Sequence, residues 1–105
     1  MTGCCQVTTT LPDREVAQNL ARRLVEERLA ACAQVEGPVA SVYRWKGAVE
    51  SATEWYCHAK TTTARLPALR ARLRALHPYE LPEMVAVPIV DGDPSYLAWI
   101  EESVA

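Results

Sequence analysis

From Cys32 to Thr63 the chain runs through two stretches rich in β-branched and aromatic residues, CAQVEGPVASVYRW and AVESATEWYCHAKTTT, parted only by Lys46-Gly47. Lys-Gly is a hairpin turn signal, so the pair predicts one unusually long two-stranded ribbon. Gly37-Pro38 predicts a bulge or interruption in the first strand, since proline cannot donate to the ladder. Such a ribbon outreaches the body it springs from, and a hairpin with nothing to pack against is poorly stable. Its tip carries Val42, Tyr43 and Trp45, too apolar to be left in water. The expectation is that another subunit covers it.

The flanks of the ribbon constrain the rest. CCQVTTT, residues 4–10, is β-branched and stops at Leu11-Pro12-Asp13, which predicts a strand followed by a helix start. Between Arg14 and Ala31, Val16, Ala17, Leu20, Ala21, Leu24 and Leu29 recur at helical spacing with charges opposite, which predicts an amphipathic helix. Leu66, Leu69, Leu73 and Leu76 form a second helical stripe, stopped by Pro78, which disfavours the α conformation at His77. MVAVPIV, residues 84–90, predicts a short strand, with Pro88 pointing to an edge or a bulge. Asp93 caps and Pro94 opens a last helix carrying Tyr96, Leu97, Ile100 and Val104. The order β-α-β-β-α-β plus a terminal helix is the split-βαβ, ferredoxin-like pattern: an α+β domain with a four-stranded antiparallel sheet and helices on one face. The other sheet face must be solvated, bind something or pack on another subunit. A chain of 105 residues suits a single domain spanning 1–105.

Charge and composition remove whole classes of function. The formal charge of −2 comes from intermixed signs, with no basic stripe for nucleic acid or an anionic membrane. No apolar run approaches the length that spans a bilayer, and MTGCCQV lacks the features of a signal peptide, so a cytoplasmic location is expected. The four cysteines, Cys4, Cys5, Cys32 and Cys57, then read as free thiols; none forms CxxC, the strongest spacing signal for zinc or dithiol chemistry. No nucleophile–base pair or glycine-rich phosphate loop is present, and the one asparagine, Asn19, lies inside a helix. Neither catalysis nor an organic cofactor is expected. A single-stranded RNA platform would need aromatics on adjacent central strands, and the first strand has none.

Five segments go beyond pattern. LVEERLAAC (24–32), SVYRWKG (41–47) and HPYELPE (77–83), with LPDREVA (11–17) and DGDPSYLAWI (91–100), occur in this order and spacing over nearly the whole chain. Together they closely resemble the CutA family of divalent-cation tolerance proteins. The resemblance implies a ferredoxin-like subunit in a tight homotrimer, long hairpins wrapping the neighbours, and a link to copper and other divalent cations. In members associated with copper, a cysteine ends the first strand and two adjacent histidines precede the PY of this loop. Here those positions hold Thr9, Leu76 and His77, and the cysteine after the first helix is Cys32. The resemblance thus makes His77 the candidate metal ligand and Cys32 a weaker second one.

The residues themselves admit plainer roles. His77 can satisfy the last helical carbonyls and order the turn, and Cys32 can be a small buried hydrophobe. Pro78 and Pro82 hold Tyr79, Glu80 and Glu83 in a rigid display that suits a ligand pocket or a subunit contact. Cys57 and His58 cannot share a metal, because neighbours in a strand point to opposite faces. Tyr56, His58 and Lys60 share one face, and Gln6 or Thr8 in the first strand is expected to hydrogen-bond His58 or Tyr56. Two functions remain open: a trimeric, non-catalytic copper or divalent-cation tolerance protein, or a trimeric signalling or scaffold module that binds a small molecule or partner between subunits.

Overall fold

A computed structural model describes residues 2–105. Strand β1 (Cys4–Leu11) leads into helix α1 (Arg14–Glu26), then β2 (Cys32–Trp45) and β3 (Ala48–Thr62) form the ribbon. A 3-10 turn (Thr63–Arg65) precedes α2 (Leu66–Leu76), and β4 (Val85–Pro88) and α3 (Pro94–Ser103) close the chain. All pairings are antiparallel, in the order β2-β3-β1-β4. This is the expected ferredoxin-like α+β fold. Pro88 ends β4, which pairs only with β1 and lies at the sheet edge, where a missing N–H costs nothing.

Alternation along β1 and β3 sends Val7, Leu11, Cys57 and Ala59 into the main core, against Ala17, Leu20 and Leu24 of α1 and Leu69 and Leu73 of α2. The first helix starts at Arg14, as its apolar spacing predicted, two residues past the proline. Asp13 is the N-cap, its Oδ1 accepting from the Val16 N–H at 2.9 Å, and Pro12 stands outside the helix. That helix ends earlier than the apolar spacing predicted, at Glu26 rather than Ala31. Arg28 takes a left-handed conformation (φ 59°), and the N–H groups of Leu29 and Ala30 both return to the Leu24 carbonyl. The reason is tertiary: the Ala31 N–H already donates to the Lys60 carbonyl at 2.8 Å, so the chain must leave the helix to enter the sheet.

The ribbon has the predicted bounds at its turn. Lys46 and Gly47 both have positive φ, 48° and 83°, as a two-residue hairpin turn matched to strand twist requires. The register shifts between Glu36 and Val39, around a cis Gly37–Pro38 peptide. Gly37 is needed there for close approach, since a Cβ would stand 2.7 Å from Cδ2 of Trp55. Gly37→Ala is therefore expected to lower stability by about 1–3 kcal/mol through displacement of the ring. Urea unfolding checks this, and a loss below about 0.5 kcal/mol would mean that Trp55 swings aside freely.

The helices do not all share one face, contrary to the expectation. Ile100 and Val104 pack with Cys4 and Ala31 in a second cluster. Cys4 and Cys32 both belong, by register and alternation, to the sheet face opposite α1 and α2. Helix α3 thus covers one end of the otherwise open face. The remainder of that face is polar as expected: Thr8 Oγ1 lies 3.0 Å from His58 Nδ1, and Glu36 Oε1 lies 2.6 Å from His58 Nε2. Tyr56 stacks on the same imidazole, with ring centroids 5.2 Å apart. Among the described residues no helix is long and apolar enough to cross a membrane.

Candidate functional site

Pro78 holds His77 in an extended conformation (ψ 135°), which ends α2 and turns the imidazole under β1. The ring is buried. Its Nε2 lies 2.9 Å from the Thr10 carbonyl oxygen and 3.1 Å from Thr9 Oγ1, while Nδ1 accepts the Tyr79 N–H at 3.1 Å. Because Nδ1 is the acceptor, Nε2 carries the proton and donates to Thr10. Burial pushes the His77 pKa down, against the opposing effects of the Thr10 carbonyl and the Glu54 carboxylate. The ring does order the turn, but it serves the carbonyl of the first strand rather than those of the helix it follows. Only the His77 backbone N–H completes the helix, on the Leu73 carbonyl.

The structure therefore brings Thr9 and His77 side by side, although they are 68 residues apart. Leu76 instead packs against the main core. Cys32 stands elsewhere, at the start of β2, with its Sγ 3.5 Å from the Tyr96 hydroxyl of α3. It is half-buried rather than fully buried. Cys57 is buried in the core, where desolvation raises its pKa to about 11. All four cysteines are free thiols. Among the described residues, no group of three or more His, Cys, Asp or Glu side chains gathers as a metal cage.

The rest of HPYELPE faces a cleft of about 830 Å³ bounded by Ala40–Trp45 of the ribbon, by Glu54 and Tyr56 of β3, and by the loop 78–83. Within it the Tyr79 hydroxyl donates to Glu54 Oε2 at 2.8 Å. Burial, then the adjacent carboxylate, push the Tyr79 phenol far above its ordinary pKa. Burial and Glu54 also push the Glu83 carboxyl up. Glu80 points instead to Lys46 at the ribbon turn, 3.9 Å away. Sequence reasoning found Tyr79 and Glu83 but missed Glu54. Its one available signal was position: it shares the alternating face of Tyr56 and His58, where an acid needs a partner. That partner lies 25 residues away.

Beyond the cleft, Val42 and Val49 near the ribbon tip are 71% and 66% exposed, and Tyr43 is exposed too. Trp45 is half-buried, with the Lys46 ammonium 5.4 Å from its ring.

Residues 5–103 match the family described as CutA1 divalent ion tolerance protein. The divalent-cation tolerance protein CutA of Thermus thermophilus is 47% identical over 97 residues, which is 92% of this chain and 94% of that protein. Mouse protein CutA is 41% identical over 93 residues; the match takes in 89% of this chain but only 52% of the longer mouse protein. Among solved structures, CutA from Xylella fastidiosa superposes with a TM-score of 0.95 at 40% identity, covering 98% of this chain and 99% of that one. The periplasmic divalent cation tolerance protein CutA from Archaeoglobus fulgidus does so with a TM-score of 0.93 at 35% identity, covering 97% and 99%.

Proposed function

From the premise that the chain belongs to the CutA1 divalent ion tolerance family, we propose that it is a homotrimeric, non-catalytic protein of divalent-cation tolerance that contacts copper or a similar cation. The observation that carries the assembly is the ribbon. The molecule measures 44 × 25 × 23 Å, and the ribbon exposes Val42, Tyr43 and Val49 near its end. An apolar arm of this kind is covered by a second copy. His77 and Cys32 each bring one donor, whereas a first-row cation takes several N, S or O donors, so a site at either is completed from a second chain. Four free thiols suit a reducing compartment, which supports the cytoplasm as its location.

Light scattering across a dilution series tests the assembly: a trimer mass at micromolar concentration is expected, and a monomer overturns it. Trp45→Ala removes an aromatic anchor worth roughly 1–2 kcal/mol, so it is expected to raise the dissociation midpoint about tenfold or more. An unmoved midpoint would take Trp45 out of the interface.

Metal contact is tested by titrating the metal-stripped protein with Cu²⁺ and Zn²⁺ beside His77→Ala. Saturable binding near micromolar affinity, lost in the variant, is expected. In the geometry described, neither His77 nitrogen has a free lone pair, so ligation there must displace the bond to Thr10 or to Tyr79. This observation favours a second reading: a trimeric signalling or scaffold module whose ligand occupies the cleft, with metal binding incidental. Binding that is absent or indifferent to His77 would establish it over the first.

A further inference from the structure

The Glu54 carboxylate is the group in the cleft least accounted for. It keeps 8% of its surface, and its one hydrogen bond is to Oε2, from Tyr79. Among the described residues no fully buried side-chain nitrogen or oxygen lacks a partner, so the unbonded Oε1 keeps some accessible surface, and Glu54 lines the cleft. A carboxylate this buried is costly without a counter-charge. Arg44 lines the cleft but makes no ion pair with Glu54, and Lys46 is engaged with Glu80. Glu83 adds a second carboxyl to the lining, and burial, then the neighbouring Glu54, disfavour its ionisation. Around them stand the rings of Tyr43, Tyr56 and Tyr79.

We propose that this cleft binds a small organic ammonium ion, its N–H donating to Glu54 Oε1 and its apolar stem lying against the tyrosine rings. Chemistry selects this occupant over a bare metal. Calcium takes about six to eight oxygen ligands, more than Glu54 and Glu83 supply; magnesium can complete its shell with water, and the MgCl2 arm of the titration decides for or against it. Copper and zinc favour imidazole or thiolate, and no His or Cys lines it. Aromatic faces beside a carboxylate attract an alkylammonium through both its charge and its stem. The inference rests on the second reading above only in taking the cleft as a ligand site. The cleft is lined by one chain and holds no His or Cys, so the copper titration does not decide it. Assembly does bear on it, because its ribbon wall, Val42 and Tyr43, is the surface a second copy is proposed to cover, and the site requires that wall to stay open.

The test is an amide NMR titration of the full chain in its native assembly with n-butylammonium chloride, beside n-butanol and MgCl2. Saturable shifts are expected at Glu54, Tyr56, Tyr79 and Glu83 with butylammonium alone. Glu54→Gln keeps the shape and an acceptor for Tyr79 but removes the charge, and is expected to weaken binding about tenfold or more. Glu83→Gln is expected to weaken it severalfold, and as an exposed substitution it carries the test should Glu54→Gln fail to fold. An equal response to butanol, affinity unmoved by both variants, or no response because a second copy fills the cleft would each overturn the proposal.

Discussion

Replacing His77 with alanine is expected to lower unfolding stability by about 2–4 kcal/mol per chain, because the change orphans buried groups. The Thr10 carbonyl loses its Nε2–H donor and the Tyr79 N–H loses Nδ1, each at a cost of roughly 1–3 kcal/mol when water cannot replace the partner. The lost ring also leaves Thr9 Oγ1 unmatched and removes the surface on which Tyr79 lies, 4.9 Å between centroids. Urea unfolding at fixed protein concentration measures the loss, since coupled assembly makes stability concentration-dependent. A loss under about 1 kcal/mol would mean that Pro78 and Pro82 order the loop unaided.

The same residue fixes a pH signature. Burial holds the folded-state pKa of His77 below its unfolded value of about 6.5, so below that pH the unfolded chain binds more protons. Its contribution is fully present above the unfolded pKa and is lost as pH falls through the folded one, with a slope of at most about 1.4 kcal/mol per pH unit. Subtracting the His77→Ala profile from that of the parent isolates this term. A flat difference between pH 7 and 5 would mean that the ring is as easily protonated in the folded chain as in the unfolded one.

Leu24→Ala is expected to cost about 2–5 kcal/mol. Leu24 is fully buried, in the cluster with Leu11 of β1 and Leu69 and Leu73 of α2. Truncation removes its transfer energy and leaves a cavity that two helices and a sheet cannot collapse around. Its neighbour Val25 is exposed, so Val25→Ala is expected to stay within about 0.5 kcal/mol. Thermal and urea unfolding of the pair checks both. A Leu24→Ala loss near that of Val25→Ala would mean that α1 is loosely docked.

Helix starts, the succession of elements and the ribbon were legible in the residues because their causes are local. Asp93 caps α3 by accepting from the Tyr96 N–H, two positive-φ residues turn the ribbon at Lys46-Gly47, and Pro78 stops α2 at Leu76. Alternation likewise separated Cys57 from His58 and put Thr8 within reach of the imidazole. The far end of α1 was not legible: its apolar spacing continues to Leu29, and what stops it is a strand pairing with Lys60. Nor was the placement of α3 across the open sheet face, which depends on where Cys4 and Ala31 meet Ile100.

At the site the division is sharper. The residues alone dictate that a rigid loop bearing His77, Tyr79 and Glu83 joins α2 to β4, because two prolines restrict its backbone wherever it lies. That His77 spends its nitrogens on Thr10 and Tyr79, and that Tyr79 meets Glu54 and leaves the second carboxylate oxygen without a hydrogen bond, follows from how the fold packs these segments together. Hydrogen bonds between residues distant in sequence leave no periodicity to read. A buried polar group takes its role from the partner the fold brings to it.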